Sequence, residues 1–150
     1  MRRLILSLLL LLAAAPAAAQ RPEPEWRQAR EEQVLVRLNA FEPGVIRLEA
    51  GRPTRLVFYN QTRTPLSLQA DGLFANAYVR SGDRDLVANG GMVLGPNETR
   101  AITLVPTEGR YRIRSRSWWR RIVGMSALVI VTPPGAPQVE QHSQGRLEDH

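Results

Sequence analysis

Between Arg110 and Arg116 every second residue is an arginine, and Tyr111, Ile113 and Ser115 fill the positions between them. Side chains of a β-strand point alternately to its two faces, whereas a helix would scatter the same arginines around its axis. The segment therefore reads as a strand with one charged face and one inward face, on which Ser115 stands in line with Tyr111 and Ile113. Period-two patterns recur over Val34–Leu38, Val45–Leu48, Leu56–Tyr59, Leu66–Gln69, Arg100–Val105 and Ala127–Val131, with a clear turn at Ala50-Gly51-Arg52-Pro53. Only Leu73–Val79 offers an irregular turn or two of helix. Short strands at close spacing, punctuated by Gly and Pro, predict an all-β fold, a Greek-key antiparallel β-sandwich.

The ends bound this domain. Arg2 and Arg3, an apolar run from Leu4 to Ala15 and Ala17-Ala18-Ala19 have the order of a secretory signal, which places cleavage after Ala19. The run is too short to cross a bilayer, which takes about 20 apolar residues. Residues 1–19 are thus expected to be a signal, 20–33 a polar linker with at most a short helix near Trp26, 34–132 the domain, and 133–150 a disordered tail opened by Pro133-Pro134. The expected location is periplasmic or secreted, with no transmembrane segment in the mature chain. There is no cysteine, so neither a disulfide nor a thiolate metal site can form. Stability must come from packing. All 20 basic residues are arginine, and loss of the signal leaves 18 Arg against 14 acids, a net charge of +4.

Catalytic residue sets are missing. His142 and His150 are the only imidazoles and both lie in the tail, so Ser115 and Ser117 have no histidine in the domain to activate them. Asp71, Asp83 and Asp85 fall in a loop-rich stretch where Asp and Gly mark turns. The chain is not expected to be an enzyme.

Several pieces, in order, resemble the cupredoxin-like domains of bacteria, the blue-copper fold. They are Phe41-Glu42-Pro43, Ile46-Arg47-Leu48-Glu49-Ala50-Gly51, Leu56-Val57-Phe58-Tyr59-Asn60, Leu94-Gly95-Pro96-Asn97-Glu98-Thr99, Gly109-Arg110-Tyr111 and Gly124-Met125. Type 1 copper takes two imidazoles and a thiolate, with a weak axial thioether. The resemblance implies that these ligand positions fall on Leu66, Ser115, about Arg120, and Met125. Three of the four ligands are then absent, leaving vestigial metal-site positions with no metal and no cofactor expected. A guanidinium near Arg120 would moreover repel a cation by roughly 1 to 4 kcal/mol, depending on the effective dielectric.

What remains points to binding. Trp118, Trp119, Arg120 and Arg121 stand in the loop where copper-bearing members of the resembled family dock redox partners, and Trp and Arg are enriched at binding hot spots. Arg112, Arg114 and Arg116 offer guanidinium forks for carboxylates or phosphates. The expected partner is a protein or an anionic surface, and export argues against nucleic acid. A copper-binding or electron-transfer cupredoxin with an atypical site is the alternative.

Overall fold

A computed structural model of the protein describes residues 22–117, 119–120 and 124–137. The expected signal, Trp118, Arg121, and the tail from residue 138 with His142 and His150 lie outside the described residues. Ten strands form: β1 (Arg30–Val36), β2 (Phe41–Glu42), β3 (Val45–Glu49), β4 (Thr54–Asn60), β5 (Leu66–Gln69), β6 (Tyr78–Val79), β7 (Gly91–Leu94), β8 (Thr99–Val105), β9 (Gly109–Ser115) and β10 (Ser126–Thr132). They make two five-stranded sheets of order β2-β1-β4-β8-β6 and β3-β10-β9-β5-β7. A short α-helix, α1 (Asp71–Asn76), follows β5, and a 3-10 helix, Ser81–Val87, follows β6. No helix among the described residues is long and apolar enough to cross a membrane.

The core comes directly from the alternation. Val34, Val36, Leu56, Phe58, Ile102 and Leu104 from the first sheet meet Ile46, Leu48, Leu66, Leu68, Ile113, Val129 and Val131 from the second, all buried. Most of their neighbours along each strand lie nearer solvent, the buried Val57 and Thr103 excepted, so a one-residue register slip would exchange much of the core for surface. The "G-x-Y" piece has a local cause. The Tyr111 hydroxyl donates to the carbonyls of Thr107 (2.9 Å) and Glu108 (3.2 Å). This folds the ring back so that a Cβ at Gly109 would sit 3.0 Å from that hydroxyl.

The structure corrects the sequence reading in three respects. Most pairings are antiparallel, but β1 runs parallel to β4 and β3 parallel to β10. β3 belongs to the opposite sheet from β1 and β4, so the chain leaves the first sheet and returns to it in its original direction. Second, the expected linker contains a 3-10 turn at Trp26–Gln28 and the start of a strand. β1 begins at Arg30, pairs with Thr54, and carries an ion pair from Glu31 to Arg55 at 2.7 Å, while Trp26 stacks on Tyr78 with ring centroids 6.0 Å apart. These residues read as linker because their side chains are polar, yet backbone pairing does not require apolar side chains. Third, β2, β6 and β7 have only two to four residues each, too short to show a period.

Candidate functional site

Three connections converge at one end of the sandwich: residues 61–65 after β4, 95–98 before β8, and 116–125 between β9 and β10. Asn60, fully buried at the end of β4, holds the first two together. Its amide nitrogen donates to the carbonyls of Thr64 and Gly95, both at 2.9 Å. Its side-chain oxygen accepts from the Thr62 amide (3.0 Å) and hydroxyl (2.7 Å). All the donor and acceptor capacity of this buried amide is therefore engaged in shaping the loop, as a buried polar group requires. The same burial removes Asn60 as a glycosylation acceptor despite its Asn-x-Thr context. The turn at Gly95 is fastened further by Glu98, whose carboxylate accepts the Gly95 N–H and bonds Arg100. The Gly95 N–H first, and then Arg100, hold this carboxyl below its usual range.

The third connection rests on that frame. The Arg116 amide donates to the Ser67 carbonyl at 2.8 Å, tying the end of β9 to β5. Arg120 is only 4 % exposed, and its Nη2 donates to the Thr64 hydroxyl at 2.8 Å. Its Nη1 is buried with no hydrogen-bond partner among the described residues. No ion pair among those residues includes Arg120. Trp119 lies over it, with Cζ 4.9 Å from the ring centroid, and is itself 43 % exposed. The Met125 amide closes the connection by donating to the Arg120 carbonyl at 3.0 Å. The result is a chain of contacts from the indole to the buried guanidinium, from the guanidinium to the hydroxyl of the exposed Thr64, and from the Thr64 carbonyl to the buried Asn60 amide.

No protein-family model and no curated protein matches the sequence. Solved structures do. Auracyanin B superposes with a TM-score of 0.51 at 19 % identity, over 71 % of this chain and 91 % of its own. Dithionite-reduced auracyanin from the photosynthetic bacterium Roseiflexus castenholzii gives 0.50 at 15 % identity, over 70 % of this chain and 98 % of its own. The chain has a cupredoxin-like fold.

Within this cupredoxin-like sandwich, Leu66, Ser115, Arg120 and Met125 are all buried at the end just described. Leu66 opens β5, and Ser115 ends β9 opposite Leu68, with its hydroxyl accepting the Ser117 amide at 3.2 Å. Among the described residues no three of His, Cys, Asp and Glu are grouped as a metal site would need. Arg112 and Arg114 are exposed on the opposite face of β9, and Arg116 is exposed just beyond it. Arg120 corrects the sequence reading: its side chain is enclosed by the loop instead of presented to a partner. A guanidinium next to an indole in the sequence is equally compatible with either placement. Thr64 carries no signal of its own along the chain, and Asn60 stands out only as the end of a strand motif. A buried Asn at a strand end, followed two and four residues later by Thr, is the pattern that marks such a self-bonded loop.

Proposed function

We propose that this cupredoxin-like domain is an exported, copper-free, non-catalytic binding module that docks a partner through the 116–125 connection, with Trp119 as its anchor. The observation that carries the reading is the buried Arg120. Type 1 copper needs a thiolate and two imidazoles around a cation. The residues at the corresponding end are a hydrocarbon at Leu66, a hydroxyl at Ser115 and a permanent positive charge at Arg120, with Met125 the only donor of the expected type. They do not fit the metal. The guanidinium, bonded to Thr64 and covered by Trp119, supplies the cross-link between connections.

Trp119 supports the docking half of the proposal. A half-exposed indole in this connection, three residues after the exposed Arg116, combines apolar area and charge in the way hot spots do. Arg112 and Arg114 add electrostatic attraction for an anionic partner, an effect felt chiefly in the association rate. Capture of partners from the exported fraction tests this. Trp119→Ala should weaken capture by about 2 kcal/mol or more, while leaving the protein folded. Unchanged capture by that variant rejects the dock.

A further inference from the structure

The outer face of the β3-β10-β9-β5-β7 sheet has an uncommon charge arrangement. Arg47 on β3 and Arg110, Arg112 and Arg114 on β9 are all exposed, and Arg116 continues the row beyond the strand. None of the six ion pairs among the described residues includes any of them. Those six pairs join acids to Arg30, Arg37, Arg52, Arg55, Arg80 and Arg100, and the exposed Asp71 accepts from the Gln69 amide beside Arg114. The only acid on this sheet's outward positions, Glu49, stands at the far margin beside Arg52. Register places the arginines in rows: Arg47, Ile130 and Arg110 cross the sheet together, then Val45, Leu128 and Arg112, then Ser126, Arg114 and Gln69. Strands lie about 4.8 Å apart and same-face residues about 7 Å apart along each strand. Guanidinium groups thus alternate with aliphatic side chains over a patch roughly 10 by 20 Å.

We infer that this face is a docking plate for an anionic lipid surface, with the guanidinium groups at the phosphates and Val45, Leu128 and Ile130 against the headgroup layer. The inference rests on the reading of the domain as a binding module and names what its sheet face binds. Charge complementarity requires a polyanionic occupant, and the distribution of charge selects among polyanions. Protein interfaces fix each side chain against one partner. Here each arginine is a long side chain with no ion-pair partner among the described residues, whose ordering against a fixed acid would cost rotamer entropy. Mobile lipid phosphates can follow each arginine without a set register, and each basic residue near such a surface strengthens association about fivefold.

Co-sedimentation with vesicles of phosphatidylglycerol and phosphatidylcholine, against pure phosphatidylcholine, tests the inference. The purified protein should bind only the anionic vesicles and release as salt rises. The Arg110→Gln/Arg112→Gln/Arg114→Gln variant, whose changes lie on exposed positions, should bind roughly 100-fold more weakly, from about fivefold per arginine. Trp119→Ala should bind vesicles nearly as the parent does. Absence of binding by the parent, or equal binding by the triple variant, overturns the lipid plate. Retention on polyglutamate or an oligonucleotide without vesicle binding overturns it equally, since the plate then serves another polyanion. If vesicle binding fails while Trp119-dependent capture persists, the binding module stands without this face; if both fail, the module reading falls as well.

Discussion

Truncating Trp119 to alanine removes the cover from a buried guanidinium, and the two consequences oppose each other. Trp119 is 43 % exposed, so a little over half its surface is out of water. For an indole that is about 100 Å² of apolar area, or about 2.5 kcal/mol. Loss of its contact with the Arg120 guanidinium at 4.9 Å removes about 1 kcal/mol more. Against this, Arg120 regains water. The effective penalty for burying an ion is several kcal/mol, and Nη1 has no partner among the described residues to offset it. Recovering about 2 to 3 kcal/mol of that penalty leaves a net destabilisation near 1 kcal/mol. The cancellation can be exposed by a double-mutant cycle. In an Arg120→Met background there is no charge to hydrate, so the same truncation should cost about 2.5 kcal/mol, a coupling of about 1.5 kcal/mol. Urea unfolding of the four proteins measures both numbers. A loss of 3 kcal/mol or more in the parent, equal to that in the Met background, refutes the opposition and makes Trp119 an ordinary core residue.

Asp83 is 6 % exposed and accepts the Thr103 amide at 2.9 Å and Arg80 at 3.2 Å. Asp83→Ala strands that buried amide and should cost about 2 to 3 kcal/mol in urea unfolding, with Asp83→Asn costing less because an acceptor remains. Glu98 has its folded pKa lowered from 4.5, the Gly95 N–H being the first cause. Its contribution is therefore complete above that value and lost as pH falls below it, so between pH 7 and pH 3 the parent should lose more stability than Glu98→Gln; parallel profiles would contradict this. The triple change Leu66→His, Ser115→Cys, Arg120→His should create at least weak Cu(II) binding, seen as visible absorption, if these positions share the register expected from the resemblance.

The sandwich was legible because strand alternation is a local property. Arg110 to Arg116 alone fixes a face, and Ile113 and Ser115 are buried as their parity requires. What escaped was set by partners distant in the chain. Arg30 to Gln33 is polar, and only its parallel pairing with β4 makes it a strand. Parallel and antiparallel neighbours leave similar side-chain patterns on a half-exposed strand, so the direction of β1 and β3 could not be read from period. The site shows the same division. Inward residues such as Leu66 and Ser115 follow from parity, but Arg120 lies outside the strands, where the two-residue period assigns it no side. Its burial depends on Thr64, 56 residues earlier, and on the frame that Asn60 builds beneath it.

The account turns on whether a metal can occupy the end of the sandwich that Arg120 fills. Cu(II) titration with visible absorption, followed by dialysis and metal analysis, addresses this most directly when run on the full-length protein and on a form ending at Pro137, which lacks His142 and His150. The expected result is no visible band in either form and no stoichiometric copper retained by the shorter one. One tightly held equivalent in the shorter form would contradict the account and restore the atypical copper site as the better reading.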